Sequence, residues 1–262
     1  MAWYSLNNEI KIYYSIYGRG DKSIVFINGL AMTTKSWIYQ IDFFSKEYKV
    51  ITYDQLCQGN SSKLIESFHY STQVEILNNL LNYLKIKKAI IVGISYGSIV
   101  AKEFAILYEN KVDKLILISP LYKIDFVLKK CYEIWESLLS KDELSTFYDI
   151  LTYMTFNRAY LNQIESSFDL FKKNFLKIYN SKDILLLLKS FEKEKDLKNY
   201  KKIKIPTLII GGDEDRLHNP DDMLSISNEI KNSKLSILKG DHGLVLSNYT
   251  EVNKEIYNFI NN

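Results

Sequence analysis

Apolar residues recur along this chain with two alternating periods. The β-branched runs "EIKIYYSIYG", "SIVFING", "KVITYD", "AIIVGI", "KLILIS", "TLIIGG" and "KLSILK" read as strands. Between them the spacing turns helical: Trp37, Ile41 and Phe44 mark one amphipathic segment, and Val74, Leu77, Leu81 and Leu84 another. Strand–helix alternation with short turns predicts an α/β fold, a mostly parallel, doubly wound sheet covered by helices on both faces. The opening stretch "WYSLNNEIKIYYSIYG" reads as a hairpin with Asn7-Asn8 in its turn, which gives the sheet an antiparallel edge. One interval breaks the rhythm. From Leu121 to about Lys204 there is no convincing buried strand, and Phe126, Trp135, Leu138, Leu139, Tyr153 and Phe156 fall on helical segments instead. That interval, 121–204, is expected to form a helical lid over the C-terminal edge of the sheet, where such sheets bind ligands. Residues 1–120 and 205–262 then form the core.

Composition adds limits rather than direction. A chain of 262 residues with 47% hydrophobic and 25% charged residues can bury a sizeable core. The net charge of +3 is small, and lysines interleave with acids, as in "KSFEKEKDLKNYKK". That pattern is a solvated face and not a nucleic-acid footprint. Cys57 and Cys131 match no metal-ligand spacing. The first residues carry no basic-then-apolar signal segment, and no apolar run reaches membrane-spanning length. A cytoplasmic protein without a membrane span is the expectation.

The candidate chemistry begins at "IIVGISYGSIVAKEFA", residues 90–105. Gly93 and Gly97 stand symmetrically about Ser95, with a strand-like run before and helical spacing after. A G-x-S-x-G at a strand-to-helix junction is a nucleophile elbow. A serine hydroxyl needs a base to take its proton and a third group to orient that base. Of three histidines, His69 in "ESFHYSTQ" suits a surface or capping role. His218, after "GGDEDRL", reads as a loop residue and a second candidate base. His242, in "LKGDHGLVLSN" after the last strand-like run, is the first choice. The acid should follow an intervening strand. "KLILISP" has no carboxylate until Asp125, whereas "TLIIGG" is followed at once by Asp213, Glu214 and Asp215. Asp215 is preferred, because two residues more give the chain room to turn back; Asp213 is the fallback.

The order Ser95, Asp215, His242 is that of the α/β-hydrolase superfamily, and the chain resembles that family over essentially its whole length. "VITYDQLCQGNSS" resembles the family's D-x-x-G-x-G-x-S turn, with Asn60 in place of a glycine. "DLKNYKKIKIPTLIIGGDED" resembles the segment returning from the lid to the catalytic acid, and "GDHG" the histidine loop. The resemblance implies an oxyanion hole made by the backbone N–H groups of Leu30 and Tyr96. It departs at "VFINGLAMTTKSW", where Asn28-Gly29 replaces the usual His-Gly and is expected to support the oxyanion loop. "INGLAMTTKSW" also resembles relatives that make the lipid precursor of rhamnolipids by joining 3-hydroxyacyl groups from acyl carrier protein. The implied function is hydrolysis of a small-molecule carboxylic ester or thioester through an acyl-enzyme on Ser95. No metal and no organic cofactor are expected. The alternatives are that acyltransferase, with acyl carrier protein as partner, and a non-catalytic binding member of the fold. A serine nucleophile argues against dehalogenase and epoxide-hydrolase chemistry, where the family uses aspartate.

Overall fold

The strand-like runs become β1 (Ala2–Ser5), β2 (Lys11–Tyr17), β3 (Ser23–Ile27), β4 (Lys49–Tyr53), β5 (Ala89–Ile94), β6 (Val112–Ile118), β7 (Thr207–Gly212) and β8 (Ser233–Leu238). The computed structural model describes residues 2–6, 10–64, 66–191 and 199–262. It places these strands in one sheet, in the order β1-β2-β4-β3-β5-β6-β7-β8. β1 and β2 pair antiparallel, as do β2 and β4, and every later pair is parallel. The antiparallel edge expected from the first residues is present; the Asn7-Asn8 turn itself lies outside the described residues.

Side chains alternate across the pleat, so each strand feeds two cores. Val25, Ile27, Ile51, Ile91 and Leu117 face one side, where they meet α2 (Ser71–Tyr83), α3 (Tyr96–Leu107) and α9 (Pro220–Glu229). Ile24, Phe26, Val50, Val92 and Ile116 face the other, covered by α1 (Ile38–Phe44), α10 (Leu244–Ser247) and α11 (Tyr249–Asn261). Burial on both faces is why β3 and β5 carry uninterrupted apolar runs rather than an alternation.

Between β6 and β7 the described residues form α4 (Phe126–Ser140), α5 (Leu144–Thr155), α6 (Arg158–Ile164), α7 (Phe168–Ile178) and α8 (Ser181–Lys189). Leu128, Trp135, Phe147 and Leu187 on these helices are buried in the same apolar cluster as α2 and α3. The layer is therefore packed onto the core and not hung from it.

The strand order fixes where a ligand can sit. The chain leaves β3 for β4 on one side, then returns through α2 across β3 to β5 on its other side. The loops after β3 and β5 thus diverge and leave a crevice at the carboxyl ends of the strands. Asn28-Gly29-Leu30 follows β3, and Ser95 follows β5.

The turn after β4 corrects one reading of the sequence. Cys57, and not Asn60, occupies the glycine-like position, with φ of 66°. Asn60 has an ordinary negative φ and donates its backbone N–H to Asp54 Oδ2 at 2.8 Å. Gly59 also has a positive φ, 45°, and a Cβ there would lie 2.1 Å from Asp54 Oδ2.

Candidate active site

The two glycines around Ser95 are explained by close approach of backbone. A Cβ on Gly93 would stand 2.3 Å from the Gly97 carbonyl oxygen, and one on Gly97 would stand 2.4 Å from that of Ile27. Only glycine lets α3 start this close to the sheet. Ser95 itself takes φ 51°, ψ −119°, a strained conformation that lifts its side chain out of both strand and helix. The turn is held by the Ser95 N–H on the Ile118 carbonyl at 3.0 Å and by the Ser98 hydroxyl on the Ser95 carbonyl at 2.5 Å. Tyr96 opens α3, so its N–H has no acceptor within the helix.

The loop after β3 is tied down by Asn28. Its side-chain amide donates to the Tyr53 carbonyl at 3.1 Å and the Met32 carbonyl at 3.4 Å, and its Oδ1 accepts from Trp37 Nε1 at 2.8 Å. With both ends of the amide engaged and the residue buried, Asn28 holds the loop from behind while Gly29 and Leu30 line the cavity with Tyr96. The Tyr179 hydroxyl, at the end of α7, donates to the Met32 carbonyl at 2.6 Å. Sequence reasoning missed that link between helical layer and loop, and nothing local marks it.

Asp215 and His242 meet where β7 and β8 end. His242 Nδ1 lies 2.8 Å from Asp215 Oδ2. Asp215 Oδ1 accepts the backbone N–H groups of Leu217 at 2.9 Å and His218 at 2.8 Å. Burial by itself would raise the Asp215 carboxyl, but the charge and hydrogen bond of His242, and then His218, outweigh it and hold it below the ordinary carboxylate value. Asp213 is engaged elsewhere: its Oδ1 accepts the Gly240 N–H at 2.9 Å and clamps the ends of β7 and β8 together. Asp241, beside the histidine, accepts from the backbone N–H groups of Asn157 and Gly243, both at 2.9 Å, and from the Ser247 hydroxyl at 2.7 Å. His69 is exposed and bonds Ser71 at the start of α2. His218 lies on the loop between β7 and α9, as expected, but its side chain is not a surface one. It is buried, edge-on to His242 with ring centroids 4.7 Å apart, and Nδ1 is 2.7 Å from the Ser119 carbonyl.

Ser95, His242, His218, Leu30 and Tyr96 line one cavity of about 560 Å³. Its far walls come from the helical layer, through Leu128, Trp135, Tyr148, Leu151, Phe156 and Phe175. Among the described residues on its lining, the one Lys, Arg, Asp or Glu is the exposed Lys35. Among the described residues no cluster of His, Cys, Asp and Glu could hold a metal ion, and no helix is long and apolar enough to cross a membrane.

Known proteins share this architecture. An alpha/beta hydrolase enzyme from a Medee basin deep-sea metagenome library superposes with a TM-score of 0.92 at 29% identity, covering 100% of this chain and 98% of its own. A bromoperoxidase from Bacillus anthracis does so at 0.90 and 29% identity, over 100% and 99%. The 3-oxoadipate enol-lactonase 2 of Acinetobacter baylyi is 22% identical over 237 residues, 89% of this chain and 87% of that protein. Residues 22–249 match the family described as alpha/beta hydrolase fold, and with that match spanning β3 to β8, the elbow and the histidine loop, the chain belongs to the alpha/beta hydrolases.

Proposed function

We propose that this hydrolase cleaves a neutral carboxylic ester through an acyl-enzyme on Ser95. The observation that carries the reading is the Asp215–His242 hydrogen bond at the wall of the apolar cavity that Ser95 also lines. With Nδ1 committed to Asp215, the lone pair of a neutral His242 is on Nε2, the nitrogen able to take the serine proton. Ser95 Oγ attacks the carbonyl carbon as His242 accepts its proton. The N–H groups of Leu30 and Tyr96 stabilise the tetrahedral oxyanion. His242 then returns the proton to the departing alkoxide, and water repeats the sequence to release the acid. Asp215 orients the imidazole and stabilises its cationic form.

The cavity supports an apolar acyl group. Aromatic and leucine side chains surround it, and among its described lining residues a carboxylate-bearing substrate would find Lys35 as the only lysine or arginine. We read the helical layer at 121–204 as the lid that supplies these walls. A fluorophosphonate probe should label the wild-type protein and fail on Ser95→Ala. A p-nitrophenyl ester series should give turnover that Ser95→Ala and His242→Ala each reduce by about 10⁴-fold or more. Absence of labelling would overturn the reading in favour of a binding protein. Incubation with 3-hydroxyacyl thioesters that yields a 3-(3-hydroxyacyloxy)acyl product would replace water by a second acyl group as acceptor.

A further inference from the structure

His218 lies beside the proposed base, and ester cleavage as described gives it no task. Its place is nonetheless closely determined. The backbone N–H bonds Asp215 Oδ1, and the ring stands at 81° to that of His242. Nδ1 faces the Ser119 carbonyl, which can only accept, so the ring carries a proton on Nδ1. Burial is the largest influence on the imidazole and holds its pKa down at about 4, so at neutral pH the ring is uncharged and its lone pair is on Nε2. The Pro120 carbonyl, also near the ring, is another acceptor and has nothing to give to Nε2. Among the described residues no donor bonds Nε2, and His218 lines the same cavity as Ser95 and His242. Nε2 is not one of the buried side-chain atoms left without a partner, so it is open to the cavity, whose wall is apolar. Its donor therefore comes from what enters the cavity.

Building on the acyl-enzyme reading, we propose that His218 accepts a hydrogen bond from the water that hydrolyses the acyl-enzyme, and so selects water over alcohols as the acyl acceptor. Water has two O–H groups; one goes to His242 Nε2 and the other to His218 Nε2. The water oxygen attacks the acyl carbonyl carbon while His242 takes the first proton. The bond from that carbon to Ser95 Oγ then breaks, and His242 returns the proton to Oγ. The second O–H remains on the carboxylic acid product and ionises in solvent. His218 neither gains nor loses a proton. An alcohol has a single O–H, and giving it to His242 leaves His218 unmatched with an alkyl group against it, so the site discriminates by an unpaired polar atom.

The test separates acylation from deacylation with p-nitrophenyl butyrate in stopped flow, with methanol as a competing acceptor. His218→Phe keeps a ring and removes the acceptor. It should slow the steady-state, deacylation-limited phase about five- to tenfold more than the burst, and raise the methyl ester to free acid ratio by a similar factor. His218→Gln, which restores an acceptor, should recover part of both. Equal slowing of burst and steady state with an unchanged product ratio would make His218 a mere support for His242 and overturn the proposal. So would no change at all. Should His218→Phe fail to fold, the wild-type product ratio decides: methyl ester formed at or above the molar share of methanol contradicts selection of water. A wild-type protein that hydrolyses esters without any acyl-enzyme burst or probe labelling overturns the acyl-enzyme reading first, and this one with it.

Discussion

Asp213 and Asp215 stand two residues apart on one turn, yet their carboxylates serve different partners. Asp215 orients His242, whereas Asp213 clamps Gly240. Asp215→Asn should therefore lower kcat by about 10⁴-fold. Asp213→Asn should keep kcat within about tenfold and cost about 1 kcal/mol of stability. Parallel ester assays and thermal melts check the pair, and the reverse ranking would reassign the acid. His218 makes a separate claim on pH. Its pKa falls from 6.5 to about 4 on folding, so between those values the unfolded chain binds a proton that the folded one does not. Stability should fall as pH drops from 6.5 towards 4, by about 3 kcal/mol at the lower end. Asp215 is shifted below 3.8, so its stabilising contribution is intact above that pH and is lost only beneath it. Urea unfolding at pH 7, 5.5 and 4 should show the loss, and His218→Phe should flatten it.

At the level of elements, the strand–turn–helix of β5, Ser95 and α3 is the most exacting piece of the fold. Its strained serine is held by a hydrogen bond to β6, by the Ser98 hydroxyl, and by two glycines that allow backbone to touch backbone. Gly93→Ala places a methyl 2.3 Å from a carbonyl oxygen that cannot move without displacing α3. A loss of about 3 kcal/mol or more, read as a lowered midpoint in denaturant, is expected, together with loss of probe labelling at Ser95. Gly97→Ala should behave alike, because it meets the Ile27 carbonyl on β3. An undiminished midpoint for either would mean the elbow is looser than these distances require. The helical layer joins the site by particular bonds as well as by packing: Tyr179 holds the Met32 carbonyl, and the Asn157 backbone N–H holds Asp241 beside His242.

For the whole molecule, the sheet's crossover point brings the loops after β3, β5, β7 and β8 to one edge, and the helical layer roofs that edge with apolar side chains. On the proposed acyl-enzyme mechanism, acyl-chain preference is therefore a property of the roof rather than of Ser95, Asp215 and His242. Leu128→Trp or Leu151→Trp should fill part of the 560 Å³ cavity and depress kcat/KM for octanoyl esters at least about tenfold more than for acetyl esters. A uniform loss across chain lengths would show that the acyl group lies elsewhere. Far more of the core than of the roof was legible beforehand. Strand runs such as "AIIVGI" announce themselves because burial on both faces demands uninterrupted apolar residues. The residues that line a cavity and those that merely pack a helix share one composition, so Trp135 could be placed on a helix but not at the cavity, and Phe156, expected on a helix, follows the end of α5 in extended backbone.

The sequence alone determined the alternation of strand and helix, the turn around Ser95, and the loops that carry Asp215 and His242, because each depends on local spacing, turn chemistry or the period of apolar residues. It misplaced the glycine-like position at Asn60: counted from Asp54, the D-x-x-G-x-G-x-S spacing falls on Cys57, the residue with positive φ. Which of two neighbouring carboxylates reaches His242 was decided only in three dimensions. So was the contact of His218 with Ser119 and His242, residues 99 and 24 positions away along the chain. Such contacts follow from how β6, β7 and β8 end side by side at one edge of the sheet, and no local pattern in the sequence encodes the distance between those ends.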